Sequence, residues 1–155
     1  MVLKRNKTEG FSFVEMMVTV AILSISLSTV LGFFVYCLSL VNLSGNMTKA
    51  LHGAQGKIEE IRDHAYSLLT TDYASSGTPG NTFNVAQLNG KGVVYIDSTN
   101  ANLLKVKVAV SWKDQNNRTI GEDLNLNGIL DAGEDKDGNG ELDSPVSLVT
   151  LIAQR

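Results

Sequence analysis

Between Phe11 and Leu43 the chain carries a single formal charge, Glu15, in an otherwise apolar run. No other feature restricts the fold as much, because a helical stretch of about 20 apolar residues spans the hydrocarbon of a bilayer. Lys4, Arg5 and Lys7 precede the run. Bases collect on the cytoplasmic side of membrane helices, so the start should stay in the cytoplasm and the body that follows should be exported. A cleaved secretory signal would need a shorter apolar core and small residues at a cleavage site after it. The run is too long for that and no such site follows it, although an uncleaved signal anchor fits. The single cysteine, Cys37, lies inside the run and has no internal partner, so a small, buried, inert thiol is expected.

Glu15 narrows the reading. A carboxylate within a membrane helix costs about 3 kcal/mol on insertion scales, so it normally has a partner and a task. It closes the segment Gly10-Phe11-Ser12-Phe13-Val14-Glu15, and Met16-Met17-Val18-Thr19-Val20-Ala21-Ile22-Leu23 continues the run. Together with the short basic leader, this resembles the class III signal of type IV prepilins and type II secretion pseudopilins. The resemblance implies that a prepilin peptidase cuts after Gly10, that Phe11 becomes a methylated N-terminus, and that Glu15 is the fifth residue of the mature chain. It also implies a single-pass protein of the bacterial inner membrane, with its C-terminal domain outside the cytoplasm. Such a protein joins other pilin or pseudopilin subunits in a filament. Electrostatics gives the arrangement a rationale. Cleavage creates an amino group at Phe11, which a neighbouring subunit's Glu15 can pair with in a low-dielectric filament core, where an unpaired carboxylate is costly. The plainer alternative is that Glu15 reaches back to the membrane interface.

Beyond the apolar run, Met47, Ala50, Leu51, Ala54, Ile58, Ile61, Ala65 and Leu68 recur at three- and four-residue spacing, which marks one face of a helix. The pattern predicts a helix to about Leu69 or Thr71, weakened at Gly45, Gly53 and Gly56, where bending or local melting is expected. Residues 72–92 are rich in turn formers and read as a loop with at most one short strand. Val93-Val94-Tyr95-Ile96 is strand-like. Leu104 to Trp112 alternates, with Leu104, Val106, Val108, Val110 and Trp112 on one face, and Val146 to Ala153 is a further strand. The fold class is therefore α+β, a long N-terminal helix packed against a small antiparallel sheet. The expected organisation is a leader at residues 1–10, a membrane-spanning helix at 11–41 and its amphipathic continuation at 42–71. A sheet domain follows at 72–155, with an acidic insert at 122–144.

The insert holds eight acids between Glu122 and Asp143, against one base, Lys136. Asp123-Leu124-Asn125-Leu126-Asn127-Gly128-Ile129-Leu130-Asp131-Ala132-Gly133-Glu134 satisfies the D-x-[DN]-x-[DN]-G-x5-E calcium-loop pattern. In such a loop Asp123, Asn125 and Asn127 supply side-chain oxygens and Ile129 a backbone carbonyl. Gly128 permits the turn, Asp131 acts directly or through water, Glu134 binds with both oxygens, and Leu130 points inward. A second, incomplete copy offers Asp135, Asp137, Asn139, Glu141 and Asp143, with Val146 at its twelfth position. The tandem resembles dockerin-type and EF-hand-like calcium repeats without their helices, so Ca2+ is the expected cofactor. The plainer alternative is an acidic, solvated loop with Asn-Gly turns, and without a cation its eight acids would repel one another and leave it poorly ordered. His52 and His64 lie far from it and read as surface residues. Many pilins close this region with a disulfide and major pseudopilins use calcium, so the resemblance implies that metal takes the staple's place here. The strand ending in tryptophan, followed by a loop and a last strand, is similar to minor pilins and pseudopilins.

The net charge is −3, with no basic face interleaved with aromatics, so no nucleic-acid partner is expected. No nucleophile–base pair, Cys/His cluster or phosphate-binding glycine loop is visible, so the chain reads as structural rather than enzymatic. The competing function is a signal-anchored, extracytoplasmic calcium-binding module that never assembles.

Overall fold

A computed structural model describes residues 10–85 and 88–154. The basic leader residues Lys4, Arg5 and Lys7 lie outside it. The chain divides into two compact units, Met1–Asn42 and Leu43–Arg155. Both draw on one helix, α1, which spans Phe13–Asp63.

In the first unit α1 is apolar and exposed, and it is long and apolar enough to cross a membrane. Its few hydroxyls are satisfied locally. Thr19, Ser24, Ser26, Ser28 and Thr29 each donate to the carbonyl four residues back, at 2.6–2.9 Å. Such back-bonding lets serine and threonine sit in hydrocarbon without an orphaned polar group. Cys37 is half-buried, so the expected full burial is not met within this chain.

In the second unit, the helix face that packs inward is Ala50, Ala54, Ile58 and Ile61. Two alanines on this stripe allow close approach. Met47 and Leu51, also placed on that face by periodicity, are just over one-third exposed. No glycine melts the helix, contrary to expectation. At Gly53 the reason is visible: an added Cβ would stand 2.8 Å from Val85 Cγ1, so the missing side chain makes room for a neighbour.

The helix also ends sooner than its periodicity predicts. α1 stops at Asp63, and Ala65 is extended (φ −64°, ψ 122°). A 3-10 turn at Tyr66–Leu68 and a short helix α2, Leu69–Asp72, follow. The side chains explain the break. His64 Nε2 lies 2.7 Å from Asp72 Oδ2, and Tyr73 donates to Glu60 at 3.0 Å, tying the turn back onto the last turns of α1. This reversal exposes Ala65 and Leu68 and buries Leu69 and Tyr73 in their place. His64 is thus a half-buried clasp rather than a free surface residue, whereas His52 is exposed.

The sheet is antiparallel: β1 (Thr82–Asn84), β2 (Gly90–Asp97), β3 (Leu103–Lys113), β4 (Thr119–Ile120) and β5 (Ser147–Ala153). β1 pairs with β2 and β2 with β3. The far edge of β3 is shared. β4 takes Trp112 and Lys113, and β5 takes Leu103 to Ala109. Leu104, Val106, Val108, Val110 and Trp112 all face the helix stripe and are buried, as the alternation predicts. Each such valine contributes about 2 kcal/mol of burial. The chain leaves the sheet at Ile120 and rejoins it at Ser147, and both points lie on the same edge of β3. The acidic insert is therefore a closed excursion with fixed ends.

Candidate functional site: the tandem acidic loops

The base of the insert is closed by Glu122 N–H, which donates to Asp143 O at 2.8 Å. Gly121, at φ 110°, lies against Ser111, and this contact helps bury Ser111 on the outer face of β3. From there the chain winds two loops.

In the first loop, the Asp123 carboxylate accepts from Asn127 N at 3.0 Å and Gly128 N at 2.8 Å. Gly128 sits at φ 78°, and a Cβ there would meet Thr82 at 2.6 Å, so glycine is required for both reasons. Asn125 Oδ1 accepts from Asn127 N and Asn127 Oδ1 from Ile129 N. Asp131 Oδ2 accepts from both amides, Asn125 Nδ2 at 2.7 Å and Asn127 Nδ2 at 2.8 Å. Glu134 closes the loop, its two oxygens accepting from Leu124 N at 2.7 Å and Asp131 N at 3.1 Å. These bonds join Asp123, Asn125, Asn127, Asp131 and Glu134 into one network. Ile129 contributes its N–H, and its side chain is exposed. Asp123 and Glu134 are buried at 1% and 3% exposure, and neither has an ion-pair partner among the described residues. Burial pushes the Asp123 carboxyl above its ordinary range and the charge of Glu134 adds to this, against the pull of the Gly128 and Asn127 N–H groups.

The second loop repeats the first. Asp135 accepts from Gly138, Asn139 and Gly140 N–H groups at 2.7–3.1 Å, Asp137 accepts from Asn139, and Asn139 Oδ1 accepts from Glu141 N. The residue that closes it was not legible as a ligand in the motif. Glu122 accepts from Lys136 N at 3.1 Å and Asp143 N at 2.9 Å, the same two loop positions that Glu134 serves in the first loop. Each glutamate immediately precedes one loop and closes the other. Oxygens of Glu122, Asp135 and Asp137 lie within 4.8 Å of one another. The signal that would have found Glu122 is the tandem Gly121-Glu122-Asp123 and Gly133-Glu134-Asp135, a twelve-residue repeat that starts two residues before the matched pattern. The backbone repeats with it: φ is positive at Gly121 and Gly133, at Leu126 and Gly138, and at Gly128 and Gly140.

The two loops differ in their attachment. In the second, Leu142 is buried at 1% exposure and donates its N–H to Tyr95 Oη, while Ser144 Oγ donates to Val110 O. Its counterpart in the first loop, Leu130, is only half-buried. Glu141 turns away from the loop centre toward Lys107 on β3, which lies 2.7 Å from Glu141 Oε2 and 2.6 Å from Asp143 Oδ1. Although burial works against it, these two carboxylates hold the Lys107 ammonium above the usual lysine value. The same lysine keeps the Asp143 carboxyl below its own. The donor set of both loops is carboxylate and amide oxygen throughout, which fits a hard cation such as Ca2+ and not a thiophilic or imidazole-seeking one.

At the other end of the chain, Gly10 and Phe11 are exposed, and Glu15 lies in the first turn of α1 with its side chain exposed. A family model of the prokaryotic N-terminal methylation motif matches residues 5–31. This match supports a place among type IV pilin-like proteins, and the exposed apolar helix fits a membrane-anchored member of that group. No curated protein and no solved structure matches the chain.

Proposed function

We propose that this protein is a minor pilin or pseudopilin, a structural subunit of a type IV pilus or type II secretion filament. A prepilin peptidase cuts it after Gly10 and methylates Phe11, and it enters the filament beside other pilin-like subunits. The observation that carries this reading is the methylation motif over residues 5–31, with Glu15 as the lone charge of a membrane-length helix. In the filament the Phe11 ammonium of one subunit faces Glu15 of another, so a charge too costly to bury alone becomes a mark of axial register. The sheet domain lies outside the cytoplasm, and its acidic insert binds calcium. Asp123, Asn125, Asn127, Asp131, Glu134 and the Ile129 carbonyl serve the first loop. The second loop draws on Asp135, Asp137, Asn139 and Asp143, with Glu122 in place of the missing twelfth ligand. Calcium here is structural: it offsets the repulsion of eight acids and holds the excursion between β4 and β5.

Glu15→Ala tests the assembly role. The variant makes α1 more apolar, so membrane insertion is unaffected, whereas its share of the sheared filament fraction falls to background. Incorporation at the wild-type level would remove Glu15 from the mechanism.

A further inference from the structure

Lys107 is the one cation that the sheet directs at the tandem loops among the described ion pairs. Its side chain is 16% exposed, with Nζ 5.9 Å from the centre of the Tyr95 ring. Asp143 is divided between two partners: Oδ1 faces Lys107, and Oδ2 accepts from the Asn139 amide at 2.6 Å, inside the loop. The equivalent residue of the first loop, Asp131, meets two neutral amides, and Ile129 stands where Glu141 would. The repeat thus departs from itself at the ninth position, where an ammonium from β3 holds the carboxylate of the second loop.

We infer that Lys107 is the resident cation of the second loop, latching Asp143 and Glu141 to the sheet in the absence of calcium and competing with calcium for Asp143, so that the first loop fills first. The competition half rests on the calcium reading above, and the latch half stands on the ion pairs alone. A divalent ion in the second loop must either sit close to the ammonium or draw Asp143 away from it, and both weaken binding. In the first loop no ion pair opposes a cation among the described residues: Asp131 meets neutral amides, and the Lys91 side chain that passes Gly128 donates to Asn84 instead. The latch makes the insert half pre-formed. Residues 135–144 keep their shape without metal, and 123–134 gain theirs from it.

Amide hydrogen exchange on the full-length protein in detergent micelles tests both halves, first in EGTA and then over a calcium chloride titration. The wild-type protein in EGTA should exchange more slowly over residues 135–144 than over 123–134. Lys107→Met should abolish that difference. In the titration it should bring the second loop to full protection at about tenfold lower calcium than wild type. Lys107→Arg should behave as wild type in EGTA, because it keeps the charge. Unchanged exchange of residues 135–144 in Lys107→Met with EGTA would overturn the latch, and a higher calcium requirement would overturn the competition. A wild-type protein with no calcium response in either loop would sink the calcium reading, while the EGTA comparison still decides the latch. Exchange across β3 and β5 reports whether the sheet survives. If Lys107→Met unfolds it, Asp143→Asn, which leaves β3 untouched, decides the latch: faster exchange at 135–144 supports it, and wild-type exchange rejects it.

Discussion

Asp123 is a carboxyl buried at 1% exposure beside Glu134, with only backbone N–H groups to stabilise its charge. A divalent cation would relieve both the burial and the repulsion. By mass action, calcium at a hundredfold over its dissociation constant adds about 2.7 kcal/mol to the folded state. The melting temperature of the full-length protein in detergent should therefore rise in millimolar calcium relative to chelator, and Asp123→Ala should remove most of the rise. Equal melting temperatures in calcium and chelator would count against the proposed site. Tyr73 supplies a second residue-level test. Burial, reinforced by its hydrogen bond to Glu60, raises its phenol to about 12. A raised folded-state value means that the protonated form stabilises the fold. That contribution is complete below the ordinary tyrosine value of 10.0 and disappears as pH climbs through about 12. Phenolate absorbance should show a tyrosine titrating near 12, and Glu60→Gln should move it down.

At the level of elements, the glycines of α1 separate helix propensity from packing. Nothing lies within 4 Å of a Cβ added at Gly56, so Gly56→Ala should stabilise the protein by about 0.5–1 kcal/mol. Gly53 is met by Val85, and Gly53→Leu should destabilise by about 1–3 kcal/mol through overpacking. Chemical denaturation of both variants checks the opposite signs. β3 was legible in the sequence because strict alternation over Leu104 to Trp112 has one physical cause, a strand with one face on the core. The end of α1 was not, since the apolar spacing runs on through Ala65 and Leu68. What breaks the helix is the pairing of His64 with Asp72 and of Tyr73 with Glu60, contacts that exist only once the chain has turned. The hydrogen-bonded network of Asp123, Asn125, Asn127, Asp131 and Glu134 follows the spacing of the motif, whereas Ile129 turns its N–H to the loop and Leu130 is only half-buried. Glu122 and Lys107 were not legible, because one closes a loop that begins thirteen residues later and the other comes from a strand.

Across the whole molecule, the sequence separates two kinds of chemistry: an exposed apolar segment with one carboxylate, and a sheet unit that carries the acidic excursion. The methylation motif lies in the first. If it is a pilin-like subunit, its maturation must leave a covalent trace that no anchored calcium-binding module would carry. Intact mass and N-terminal sequencing of the protein recovered from its native membranes read that trace directly. Prepilin processing yields a chain that begins at Phe11 and carries one added methyl group. A chain that still holds Met1 to Gly10 would contradict it, and Glu15 would then need a purpose other than filament assembly.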